Sequence, residues 1–262
     1  MRLCWIHPTA ASSALDPLWA KLDTAIRPLL RPDTQLEFRF LPRSGNFTRS
    51  LYAEHLNSVH MVEAALQAEA EGFDGIYLGC WNDPLWEARE VLSVPVATGG
   101  EQSKLAALAM GRRFAVVTVS AKTTVAIERD LMAYGLLDRA IARPVRSIAP
   151  ESDAALLLGA VEDARRDFIP RFDAVARQCI DDGADVILAG CTYYGPLMRL
   201  AGYTSVEGTG VPVVDSTAVS IKYLEAMTDI ALRTGLVKSA GLAFRAPSRD
   251  ALDGARRSLS LL

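Results

Sequence analysis

Apolar and polar positions along this chain switch repeatedly between two periods. Gln35 to Phe40 alternates polar and apolar residues, as a half-buried strand does. Before it, Leu18, Leu22, Ile26 and Leu29 recur at helical spacing behind Asp16-Pro17, a pair suited to a helix start. Arg2 to His7 is a short apolar strand that opens into the small polar loop Pro8 to Ser13. The first forty residues therefore read as β-α-β. A long helix over 51–71 then leads to a strand ending at Cys80, a helix from about Pro84, and the short strand Val94-Pro95-Val96. The remainder repeats the alternation: a helix to about Gly111, a strand over 113–119, a helix over 122–134, and a weak strand over 142–148 interrupted by Pro144. A mostly helical stretch over 152–182 with a break at Pro170 follows, then a strand to Cys191, a second Val-Pro-Val at 211–213 and a helix over 216–234. Beyond 234 no clear pattern emerges. Strands separated by helices of ten or more residues predict parallel sheets with right-handed crossovers.

One stretch occurs twice. Gly72-Phe73-Asp74-Gly75-Ile76-Tyr77-Leu78-Gly79-Cys80 returns as Gly183-Ala184-Asp185-Val186-Ile187-Leu188-Ala189-Gly190-Cys191, with five of nine positions identical at a constant offset of 111 residues. In each copy a helix ends at a glycine and an apolar run forms a buried strand. A second glycine is expected to let the chain turn, and Pro84 or Pro196 falls where the first turn of the next helix tolerates it. The fold class this predicts is α/β with two pseudo-symmetric lobes, each a mainly parallel sheet flanked by helices. The carboxyl edges of the sheets, where ligands bind in open α/β folds, would face a single cleft with Cys80 and Cys191 meeting there. Asp74 and Asp185 precede their strands, at the opposite edge, and suit turn or capping roles.

Composition narrows the function. At 262 residues, half of them apolar, the chain supports real cores. A net charge of −3 without long Lys/Arg clusters offers no broad attraction to nucleic acid or an anionic membrane. No apolar run reaches the roughly 18–20 residues of a membrane span, and no signal peptide is evident, so a cytoplasmic protein acting on a small molecule is expected. Four scattered cysteines without a C-x-x-C pair are expected to be reduced thiols. Cys4 inside a strand and Cys179 inside a helix suit packing, and a zinc site on Cys80 and Cys191 lacks both the spacing and a third ligand. Two thiols facing each other across a substrate suit inversion of a carbon centre, because one face needs a base and the other an acid. A thiolate near a helix N-terminus is stabilised by backbone amides.

The Gly-Cys endings of both copies, with Gly79-Cys80-x-x-Asp83-Pro84, Gly100-Glu101-x-Ser103, Gly190-Cys191-Thr192 and Val211-Pro212-Val213-Val214-Asp215, resemble the aspartate/glutamate racemase superfamily, most closely its hydantoin/allantoin racemase branch. The resemblance implies a cofactor-independent racemase or epimerase, with Cys80 and Cys191 as opposed acid and base and no metal. It implies interleaved lobes, residues 1–98 plus 216–262 carrying Cys80 and residues 99–215 carrying Cys191. It also implies substrate contacts from Thr9, Asn82, Thr118, Ser120 and Thr192, of which Thr118, Ser120 and Thr192 equally suit helix capping. The chain departs from the family where Asn-Pro-Asn is common: it has His7-Pro8-Thr9, and His7 could touch substrate or end a strand. Trp81 stands where Phe is frequent, and Tyr193 where amino-acid racemases carry histidine. These changes move the expected substrate from an amino acid toward a ring such as a 5-substituted hydantoin. A homo-oligomer is expected. Alternatives are a maleate isomerase or an arylmalonate decarboxylase of the same superfamily, and a two-lobed metabolite-binding protein without turnover.

Overall fold

The computed structural model describes residues 1–45, 49–81 and 83–261. The strands and helices in order are β1 (Arg2–Ala10), α1 (Asp16–Ile26), β2 (Gln35–Leu41), α2 (Leu51–Ala70), β3 (Gly75–Leu78), α3 (Leu85–Val91), β4 (Val96–Thr98), α4 (Gly99–Met110) and β5 (Phe114–Thr118). There follow α5 (Ala121–Ala133), β6 (Ala140–Ser147), α6 (Ala154–Asp163), α7 (Phe168–Asp181), β7 (Val186–Gly190), α8 (Tyr194–Leu200), β8 (Val213–Val214), α9 (Ser216–Thr234) and α10 (Arg249–Ser258). The strands form two four-stranded sheets, ordered β2-β1-β3-β4 and β6-β5-β7-β8, and every ladder is parallel. The two orders are the same order offset by four strands, so the repeat seen in sequence is a repeat of topology. Among the described residues, no helix is long and apolar enough to cross a membrane.

Burial on both faces explains the unbroken apolar runs of β3 and β7, where every residue is buried. Each is entered through the same device. Gly72 and Gly183 adopt left-handed φ of 83° and 94° just past α2 and α7. The following amides of Phe73 and Ala184 then bond back to Ala68 and Cys179 at 3.2 and 2.9 Å, closing a Schellman-type end. Asp74 and Asp185 fasten the neighbouring strand: Asp74 Oδ2 accepts from the Arg2 amide at 2.7 Å, and Asp185 from the Arg112 and Arg113 amides at 3.0 and 2.8 Å.

The two lobes interlock. Helix α9 sends Ile221 and Leu224 into the core of the first sheet beside Leu3, Trp5 and Tyr77, whereas Leu18 of α1 packs with the second lobe's core around Phe168, Phe172 and Tyr194. Helix α10 rests on α2 through Arg256 and Glu63 at 2.7 Å.

Four expectations are corrected. Strand β1 runs on through Pro8 to Ala10, with a register irregularity beyond Ile6, rather than ending at His7. The break between α6 and α7 falls at 164–167, and Pro170 sits inside the first turn of α7, where a missing amide costs nothing. Strand β6 runs on through Pro144, which an edge strand permits, and the interruption expected there is instead a register shift against β5 between Ala140 and Val145. Gly79 and Gly190 are not turn residues: both have negative φ, and what they provide is room. A Cβ on Gly79 would lie 2.3 Å from Trp5 Nε1, and one on Gly190 2.7 Å from Val116 Cγ1.

Candidate active site

Because both repeats end on cysteine at the carboxyl edge of a central strand, Cys80 follows β3 and Cys191 follows β7, and both line one cavity of about 280 Å³. The first lobe supplies His7, Thr9, Arg49, Glu54, Met61, Trp81 and Asp83 to its wall; the second supplies Thr118, Val119, Thr123, Ser152, Leu157, Thr192 and Tyr193.

The two sulfurs influence each other. That mutual influence is the largest on each: it raises Cys80 well above the ordinary thiol range and lowers Cys191. Burial opposes ionisation of both, but the backbone amides of Tyr193 and Tyr194, at the start of α8, favour the Cys191 thiolate. Cys80 is pushed up further by the negative charge of the Cys191 thiolate, while the amide and hydroxyl of Thr192 partly counter that. The two shifts run in opposite directions, Cys191 toward the thiolate and Cys80 toward the thiol. For the other cysteines burial is the largest cause, driving Cys4 to about 12 and Cys179 to about 11 against the charges of nearby arginines.

The loop bearing Cys80 leans on the start of α4. A Cβ on Gly99 would meet the Cys80 carbonyl at 2.7 Å, and one on Gly100 the Trp81 carbonyl at 2.6 Å, so Gly99-Gly100 is a shelf without side chains. Thr192 closes the arrangement by donating its hydroxyl to the Cys80 carbonyl at 2.9 Å, and its own carbonyl accepts from Thr217 at 2.8 Å.

The remaining expected site residues divide. His7 lines the cavity, 1% exposed, stacked between Trp5 and Phe40 at 5.5 and 4.6 Å; burial lowers its pKa to about 3, so it is a neutral imidazole. Thr9, Trp81 and Tyr193 line the cavity as well, Tyr193 accepting from Trp19 Nε1 at 3.3 Å. Thr118 is at the wall, but its hydroxyl is spent on the Gly190 carbonyl at 2.8 Å, tying β5 to the end of β7. Ser120 caps α5 in a reciprocal arrangement with Thr123 and does not line the cavity. Asn82 lies outside the described residues.

Residues not foreseen as cavity groups are Arg49, Glu54, Asp83 and Ser152. Burial and the charge at Cys80 push Asp83 well above the carboxylate range, and burial also raises Glu54. Arg49 is paired with Glu151 at 3.1 Å across the two lobes. Among the described residues, no group of three or more His, Cys, Asp or Glu is placed to hold a metal ion.

A model of the Asp/Glu/Hydantoin racemase family matches residues 14–224, most of the chain and all of the repeat. The chain belongs to that family. It is 29% identical over 223 residues to a hydantoin racemase of Pseudomonas sp. (strain NS671), covering 83% of this chain and 84% of that protein. To a hydantoin racemase of Rhizobium meliloti it is 30% identical over 188 residues, covering 68% and 70%. Among solved structures, the allantoin racemase from Klebsiella pneumoniae superposes with a TM-score of 0.77 at 22% identity, covering 99% of this chain and 98% of that one. The fold of this racemase family is thus present nearly end to end.

Proposed function

We propose that this protein racemises a 5-substituted hydantoin or a closely related cyclic ureide by a two-base mechanism on Cys80 and Cys191. The observation that carries the reading is that Cys80 and Cys191, each following a central strand of its own sheet, line one small cavity, with their pKa values shifted in opposite directions. In one direction the Cys191 thiolate removes the proton from the ring carbon next to the carbonyl, the electron pair delocalises into that carbonyl, and the Cys80 thiol delivers its proton to the opposite face. The product leaves Cys191 as thiol and Cys80 as thiolate, which is the state that accepts the other enantiomer. Atoms and charge balance over the turnover without an external acid or base.

Electrostatics favour a neutral ring over an amino acid or a dicarboxylate. An anionic substrate needs a cation, yet Arg49 already pairs with Glu151, and the wall carries the carboxyl groups of Glu54 and Asp153. An uncharged ring meets no such conflict and finds a mostly apolar wall of Leu15, Leu18, Met61, Val119 and Leu157. The relatives named hydantoin racemase agree with this choice.

The test is loss of optical rotation by a single enantiomer of a 5-substituted hydantoin in heavy water. Decay to zero rotation with one deuterium gained at the stereocentre is expected. Retained rotation across a panel of aliphatic and aromatic 5-substituents, with racemisation of aspartate or glutamate instead, would overturn the substrate assignment.

A further inference from the structure

The repeat is not symmetric in how it supports its two sulfurs. Cys191 takes two amides from its own turn, those of Tyr193 and Tyr194. Cys80 is favoured as a thiolate by the other lobe, through the amide and hydroxyl of Thr192. That hydroxyl donates instead to the Cys80 carbonyl, at 2.9 Å. It has one proton and two acceptors on the same residue. While Cys80 is a thiol the carbonyl is the better acceptor; once Cys80 is a thiolate, the charged sulfur is.

We infer that Thr192 is a positioning residue for the racemisation, fixing Cys80 opposite Cys191 and turning its hydroxyl onto the Cys80 sulfur in the half-reaction that leaves the charge there. The inference rests on the two-cysteine reading above and adds what makes the second cysteine competent. Three contacts hold the threonine to the task. Its carbonyl is anchored by Thr217 at the start of α9, at 2.8 Å. The Cys80 carbonyl is walled off behind by Gly99, where even a methyl group would collide at 2.7 Å. Thr192 itself is 3% exposed, so water does not readily replace its hydroxyl. The other groups facing Cys80 are acids, namely Cys191, Asp83, Tyr77, Tyr193 and Tyr194, and none of them supplies a positive charge to a thiolate there. A donor that can be redirected is what the site needs to run backward as well as forward.

The experiment reads the Cys80 thiolate directly. In a Cys191→Ala background, the rate of Cys80 alkylation by iodoacetamide is followed against pH by peptide mass spectrometry, with Thr192 native, Thr192→Val and Thr192→Ser. Valine keeps the shape and removes the donor; serine keeps the donor. We expect the alkylation midpoint to rise by about one pH unit in Thr192→Val, a roughly tenfold loss of rate below the midpoint, and to stay within about 0.3 pH unit in Thr192→Ser. With Cys191 restored, Thr192→Val should lower kcat by about tenfold or more while KM changes less than about threefold, again rescued by serine. An unmoved alkylation midpoint in Thr192→Val overturns the inference. Should that variant not fold, Thr217→Val, which only unfastens the Thr192 carbonyl, is read in its place: a smaller rise is expected, and no rise overturns the inference. Alkylation involves no substrate, so a midpoint shift without hydantoin racemisation would indict the substrate assignment alone, and racemisation without a shift would indict Thr192 alone.

Discussion

Lowering the pH should unfold this protein partly through one histidine. His7 is buried among Trp5, Phe38, Phe40 and Trp19, with ring centroids 4.6–6.1 Å away, and its Nε2 has no hydrogen-bond partner among the described residues. Charging it there is costly, so its pKa falls from 6.5 to about 3. Between those values the unfolded chain binds a proton that the native state refuses. The stability this group confers is therefore complete above about pH 6.5, declines as pH falls, and is exhausted near pH 3, a span worth up to ~5 kcal/mol. Of this, ~2 kcal/mol should disappear between pH 7 and pH 5. Urea unfolding at the two pH values, for the native protein and for His7→Phe, isolates the contribution, because phenylalanine fills the same stack without titrating. The native protein should lose ~2 kcal/mol more than the variant across that interval. Equal losses in the two proteins would refute the reasoning and would mean that His7 is protonated in place or reaches water.

Three further outcomes follow from the site and its supports. Burial, more than any other cause, raises Asp83 well above the carboxylate range, so Asp83→Asn should keep kcat within about fivefold at pH 7; a loss of a hundredfold or more would make it a working base. With Cys191 shifted down and Cys80 shifted up, kcat/KM should rise as pH passes through the lower of the pair's pKa values, hold a plateau, and fall at the upper; a monotonic rise would exclude a shared proton. Gly79→Ala would press a methyl group within 2.3 Å of Trp5 Nε1 and 2.9 Å of Tyr77 Cε1, and should destabilise by ~1–3 kcal/mol in urea melts; an unchanged midpoint would show that the strands can separate freely there.

What could be read in the sequence was whatever depends on neighbours along the chain. Apolar runs at Ile76 to Leu78 and Val186 to Ala189 announced buried strands, and Gly72 and Gly183 announced helix ends, because period and left-handed backbone are local properties. The roles of Gly79, Gly190, Gly99 and Gly100 were not legible, since each is glycine on account of a side chain or carbonyl brought in by another element. Helix α10 went unseen because its residues are so polar that they leave no apolar stripe long enough to recognise, and it is seated by the Arg256 and Glu63 pair. In the site, the repeat pointed to Cys80 and Cys191 because both copies carry them. It could not show that the Thr192 hydroxyl would be used on a carbonyl 112 residues away, nor that burial would raise Asp83 well above the carboxylate range. Both facts arise only when the lobes are assembled around one cavity.

The central claim is that the two sulfurs serve opposite faces of one substrate, and stereospecific hydrogen exchange by the single-cysteine variants tests it most directly. Cys80→Ser and Cys191→Ser would each be incubated in heavy water with the separate enantiomers of a 5-substituted hydantoin, and deuterium at the stereocentre compared with the uncatalysed rate. The account predicts that neither variant racemises, that Cys80→Ser exchanges one enantiomer without inverting it, and that Cys191→Ser exchanges only the other. Exchange of the same enantiomer by both variants, or undiminished racemisation by either, would contradict it.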